Sequence, residues 1–180
     1  EHLVRTYHTI DPGIVPKYQA AGRKPCVLSG AVSGAYPLRQ KLINYAWAIP
    51  EMSVLKHPGY HRNGCMTPDY VRELSQYKVA VCTSSVYGYA LRKIIEATAA
   101  GCRVLTDLPY DDVLPMIDGN LVRVSPNDPI EKIGQTIRRM VRDYDPAWQA
   151  FYAAAAVAYY DYRVRGEALA RDIESLRRRY

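Results

Sequence analysis

The chain has 180 residues, is 48% hydrophobic, and carries 24 Lys and Arg against 18 Asp and Glu, a net charge of +6. A chain of this length buries roughly 70% of its unfolded surface, so one compact domain is expected, and the ordinary composition excludes disordered and fibrous classes. No apolar run reaches the ~18 residues of a membrane span, and the alanine-rich stretch 151–160 is too short to be one.

Helical and strand patterns alternate along the chain. Apolar runs of strand length fall at 26–28, 53–55, 78–82, 103–106 and 121–124. Helical patterns fill the gaps at 37–47, 68–76, 89–100, about 112–117, and 129–143. Thr67-Pro68, Asp128-Pro129 and Asp145-Pro146 each set a capping side chain before a proline suited to the first helical position. After Asp143 the alternation stops, and 146–160 and 164–179 read as two consecutive helices. The expected fold is α/β, a doubly wound, Rossmann-like parallel sheet of about five to six strands with a C-terminal helical extension. Residues 1–143 form the domain, and 144–180 cap it or reach onto a partner domain. No signal peptide is visible, and a start at Glu1 rather than Met is expected of an excised piece.

Cys26, Cys82 and Cys102 fall in or beside strands, and with Cys65 they show no metal-ligand spacing. Buried free thiols in a reducing, cytoplasmic compartment are expected, with no bound metal or cofactor. Six arginines in residues 163–180 face Glu167, Asp172 and Glu174, placing half the net charge in the tail. Such a tail suits a solvated helix face or a docking surface. The alternative is a non-catalytic module that holds nucleic acid or a protein partner through its basic helices.

In a doubly wound sheet, ligands bind outside the carboxyl ends of the strands, which selects the loops 29–36, 56–64, 83–88 and 107–111. The first carries Gly30 and Gly34 and leads to Arg39, a candidate phosphate clamp, without a dinucleotide or P-loop fingerprint. In the second, His57-Pro58-Gly59-Tyr60-His61 cannot form a helical zinc pair. Tyr60 or His57 there offers a base or sugar contact, against a plain surface turn. The third, Ser84-Ser85-Val86-Tyr87-Gly88-Tyr89, precedes a helix expected to stop at Gly101, and its backbone N–H groups suit phosphate. On that helix Leu91, Ile94, Ile95 and Thr98 form an apolar face, with Tyr89, Lys93 and Glu96 opposite, a solvent-exposed pair unless a ligand sits there. Asp107 and Asp111-Asp112 suggest a carboxylate cluster, but Asp111-Asp112 also suits the start of a short helix.

The stretch from Tyr87-Gly88-Tyr89 through Lys93-Ile94-Ile95-Glu96-Ala97 to Gly101 and Asp107 resembles the donor-binding segment of GT-B glycosyltransferases, in the group 1 or CgeB-like branch. Tyr36-Pro37-Leu38-Arg39, His57-Pro58-Gly59 and Lys93–Ala97 follow the family's order, as do Asp118-Gly119-Asn120 and Val124-Ser125-Pro126-Asn127-Asp128. The likeness covers about residues 1–143. It implies the donor half of an enzyme that moves a sugar from a nucleotide-activated donor to an unidentified acceptor, without a metal. It further implies that Glu96 takes the ribose hydroxyls, that Ser85, Gly88 and Tyr89 take the diphosphate, and that Arg39 and Lys93 neutralise the departing nucleoside diphosphate. Gly30 and Tyr60 complete the implied donor site. Gly88 stands where the family has its sugar-contacting glutamate, and Arg103 where many members have proline. An acceptor-binding domain, on this or another chain, is implied as partner; nucleic acid is not.

Overall fold

The computed structural model describes residues 5–55 and 66–178. Five parallel strands form one sheet among them: β1 (Lys24–Ser29), β2 (Met52–Leu55), β3 (Tyr77–Val81), β4 (Arg103–Thr106) and β5 (Leu121–Arg123), in the order β2-β1-β3-β4-β5. Parallel strands covered on both faces need apolar side chains at successive positions. Cys26, Val27 and Leu28 of β1 and Val79, Ala80 and Val81 of β3 accordingly are all buried.

One face packs α1 (Pro37–Asn44) and α4 (Ile130–Arg142). Leu38 and Leu42 of α1, with Ile133, Ile137 and Met140 of α4, meet Cys26, Leu28, Val79, Val81 and Leu105 there. The other face packs α2 (Met66–Leu74), α3 (Arg92–Ala99) and α5 (Pro146–Tyr160). Val71, Leu74, Ile94, Ile95, Ala156 and Tyr160 meet Val27, Ala80 and Val104. The last helix, α6 (Tyr162–Arg177), buries no residue. Its junction with α5 is held by the N-terminal segment, where the Ile10 N–H donates to Tyr160 O at 2.9 Å and Ile10 O accepts from Tyr162 N–H at 3.1 Å. No helix of the described residues is long and apolar enough to cross a membrane.

Asp145 caps α5 as its sequence suggests, accepting from the N–H groups of Ala147 and Trp148. Two expected helix starts take another form. Asp128 does not cap α4, whose N-cap is Pro129; it accepts from the Ser125 N–H at 3.0 Å and from the Lys132 Nζ of that helix at 2.6 Å. Residues 112–117 form no helix, because Asp112 is drawn to distant partners: it accepts from the Ala90 N–H at 3.0 Å and pairs with Arg5. Helix α2 begins at Met66 rather than at the Thr67-Pro68 step.

The stop of α3 is as expected. Gly101 has φ of +82°, its N–H donates to Thr98 O, and the Cys102 N–H donates to Ala97 O, both at 2.9 Å. This pair of bonds is the Schellman closure that favours glycine. Buried Arg23 donates to Ala100 O at 2.9 Å, and Asn120 Nδ2 donates to Thr98 Oγ1 and Cys102 O, so the turn is tied on two sides. A methyl group on Gly101 would run into the Tyr18 ring and the Arg23 guanidinium. Gly101→Ala should therefore cost at least ~1–3 kcal/mol, the range for a residue held in a sparsely populated backbone region, measured as a lowered urea midpoint.

Candidate functional site

In this strand order the chain reverses direction across the sheet between β1 and β3, the switch point at whose carboxyl ends ligands bind in doubly wound sheets. Strand β1 runs out at Ser29 into Gly30, whose φ is +122°. Arg39, in the first turn of α1, is 2% exposed and folds back over this point. Its guanidinium donates to Ala31 O at 2.6 Å and to Thr83 Oγ1 at 2.8 Å, and stacks 4.0 Å from the centre of the Tyr36 ring. The loops after β1 and β3 are thereby joined through one cation.

Lys93, in the first turn of α3, reaches the same spot from the other side. A Cβ added at Gly30 would lie 2.5 Å from Lys93 Nζ and 2.8 Å from Arg39 Cζ. Only glycine leaves room for both cations, and only glycine adopts that backbone angle without strain. The ammonium lies over the Tyr70 ring, 5.6 Å from its centre, and the Tyr70 hydroxyl shares a 2.6 Å hydrogen bond with Ser29 Oγ. Burial lowers the Lys93 pKa, and the Arg39 charge lowers it further.

These cations run against the local electrostatics. Arg39 and Lys93 each sit in a first helical turn, where the positive end of the helix dipole disfavours them, and neither α1 nor α3 has an acidic residue in its first turn. Leu91, the N-cap of α3, supplies no capping side chain. The arrangement brings two cations together at a partly buried point, where Glu96 partly offsets the charge on Lys93 and a bound anion would be favoured further.

Around it, Ser84 and Ser85 are buried in the loop after β3. The Ser84 N–H donates to Asp107 Oδ1 at 2.6 Å. Burial raises the Asp107 pKa, which this bond opposes. Ser85 Oγ accepts from the Tyr87 N–H at 3.3 Å, and the Gly88 N–H closes a turn on Ser85 O at 2.9 Å. The Gly88 amide implied as a diphosphate donor is thus already engaged, while the Tyr89 side chain is half exposed.

Glu96 departs from the expected exposed pair. It is 3% exposed, because α2 and α5 flank α3 and leave it no free outer face. Its ion partner is Arg92, whose Nε lies 2.8 Å from Glu96 Oε1, one helical turn back, rather than Lys93. Burial raises its pKa, with Arg92 opposing. Lys93 is likewise half buried rather than exposed. Tyr60 and His57 lie outside the described residues. Tyr36, Tyr70, Thr83 and the supporting role of Asp107 escape sequence reasoning. Only Asp107 carries a local signal, as an acid directly after a strand's carboxyl end. The buried thiols Cys82 and Cys102 are pushed up to about 12 by burial, so they pack as small apolar groups.

Solved structures of two glycosyltransferases share this architecture. The glycotransferase of kitacinnamycin matches with a TM-score of 0.54 and 16% identity, over 94% of this chain and 47% of its own. The two share a fold over nearly all of this chain. The pneumococcal O-GlcNAc transferase GtfA, solved with UDP and GlcNAc, matches with a TM-score of 0.53 and 14% identity, over 93% of this chain and 38% of its own. The chain thus spans less than half of either enzyme. No protein-family model and no curated protein matches the sequence.

Burial and the nearby Arg39 charge disfavour the charged Lys93 more than Glu96 favours it, so removing the ammonium should relieve the fold. Lys93→Met should stabilise the unliganded protein by about 0.5–2 kcal/mol in urea unfolding at neutral pH. Because the folded state lowers the Lys93 pKa, it holds fewer protons there than the unfolded chain. Stability attributable to Lys93 should therefore rise as pH climbs toward 10.5, and Lys93→Met should abolish that rise.

Proposed function

We propose that this chain is the donor-binding half of a glycosyltransferase, recognising a nucleotide-activated sugar and transferring it, with an acceptor-binding domain, to an acceptor. The observation that carries the reading is the convergence of Arg39 and Lys93 on Gly30 at the β1–β3 switch point. Transfer breaks the bond between the sugar's anomeric carbon and the diphosphate oxygen. The electron pair leaves with that oxygen, while the acceptor oxygen forms the new bond and loses its proton to a base. Negative charge grows on the leaving diphosphate, and two preplaced cations stabilise it without reorganisation, the task a divalent metal would otherwise perform. Tyr70 and Thr83 position those cations.

The glycosyltransferase fold supports the reading, as does the order of the motifs. Ser85 and Tyr89 border the diphosphate path in this scheme. Glu96, one turn behind Lys93, takes the ribose hydroxyls by exchanging part of its Arg92 contact. The non-catalytic alternative through a basic tail finds less support. Arg163 pairs with Asp161, Arg171 with Glu167 and Arg178 with Glu174, so much of the tail's charge is internally balanced.

Calorimetric titration with UDP, GDP, ADP and dTDP sugars should show one of them binding at micromolar to millimolar concentration. Glu96→Gln should weaken that binding by roughly tenfold or more, the equivalent of a lost hydrogen bond to a charged group. No binding of any donor at millimolar concentration would end the proposal. In gel retardation, DNA and RNA should migrate unchanged with the protein at physiological salt. A salt-sensitive shift that disappears on deleting residues 163–180 would favour the alternative.

A further inference from the structure

The outward face of α5 is apolar and exposed. No Asp, Glu, Lys or Arg occurs from Pro146 to Tyr160. The inner face, with Ala153, Ala156 and Tyr160, is buried. The outer face presents Ala147, Phe151, Ala154 and Ala158 in one exposed line at spacings of four, three and four, with Trp148 beside it. Trp148 is 57% exposed and Phe151 55%. Their rings are already ordered: Trp148 stacks on Tyr152 at 5.9 Å, and Phe151 meets both edge-on at 6.2 and 5.3 Å. Rigid aromatic anchors on an uncharged exposed face mark a protein contact.

The face is graded along its length. Its N-terminal half is bulky, through Trp148 and Phe151, and its C-terminal half is small, through Ala154, Ala155 and Ala158. Two copies of such a helix fit when they run antiparallel about a two-fold axis. Phe151 of each copy then enters the hollow between Ala154 and Ala158 of the other, and the contact satisfies both copies at once. Charges at the ends agree with this direction. Asp145 lies at the start of α5, whereas Arg165, stacked 4.1 Å over Tyr159, follows its end, where Arg163 is already paired with Asp161. Antiparallel pairing sets acid against base and opposes the two helix dipoles. Parallel pairing would set ring against ring and arginine against arginine.

We propose that a second copy of this chain docks antiparallel on α5, Phe151 of one copy seated on Ala154 and Ala158 of the other. This inference is independent of the donor-site reading. A single helix pair lies at the small end of specific interfaces, so the dimer is weak and concentration-dependent.

Sedimentation equilibrium on the 180-residue chain, up to several hundred micromolar, should show a monomer–dimer equilibrium. Ala158→Phe fills the hollow and should weaken it by roughly tenfold or more. Phe151→Ala with Ala158→Phe moves one ring from the N-terminal to the C-terminal half, opens a hollow beside Ala147, and should recover part of the association lost in Ala158→Phe. Circular dichroism melts confirm that each variant is folded. As a second measure, Ala154→Cys should join two copies through a short bismaleimide, above the yield of the parent chain. A chain that stays monomeric throughout overturns the proposal. So does an Ala158→Phe variant that dimerises undiminished, a double variant no better than the single one, or an α5 face that binds anionic lipid vesicles while the protein remains monomeric.

Discussion

Positive charge placed where the backbone is already positive is the constraint on which the proposed site depends. Arg39 and Lys93 occupy the first turns of α1 and α3, at the dipole ends that ordinarily attract acids. Neither would gather there for stability. The fold nevertheless gives each a firm seat. Arg39 is bound to Ala31 and Thr83 and stacked on Tyr36, and Lys93 lies over Tyr70. Departures from local electrostatic preference that are held in place by surrounding contacts are expected at functional or strained sites, which is why the proposed donor site is placed here.

The apparatus behind the proposed site is rigid for the same reason. Asp107 holds the backbone of Ser84, and Val86 donates its N–H to Ala35 O at 2.9 Å, so the loops after β1, β3 and β4 form one connected rim. Further back, the closure at Gly101 fixes where α3 ends. Because α3 is only eight residues long, fixing its end also fixes where Lys93 begins. The strand-to-helix register is therefore part of the placement of the site.

Much of this was legible in the residues. The five strands follow from apolar runs of strand length, and the Gly101 stop and the Asp145 cap from partners within a few residues. Arg39 and Gly30 were legible through the rule that ligands sit at strand carboxyl ends. The burial of Glu96 was not, because helical periodicity identifies the face toward the sheet but not the neighbours α2 and α5 on the flanks. Asp112 and Asp128 illustrate the same limit. Both are acids at positions that suit a helix start, and both are drawn elsewhere, Asp112 by Arg5 and Ala90 and Asp128 by Ser125 and Lys132. Tyr70 is the clearest case: nothing near it in sequence links it to Ser29 or Lys93.

The backbone pairing of Ile10 with Tyr160 and Tyr162 has a kinetic meaning. It closes nearly the whole chain into a ring, and contacts between such remote positions form after nearer ones, because their entropy of closure is met last. The bend between the final two helices is therefore set late in folding.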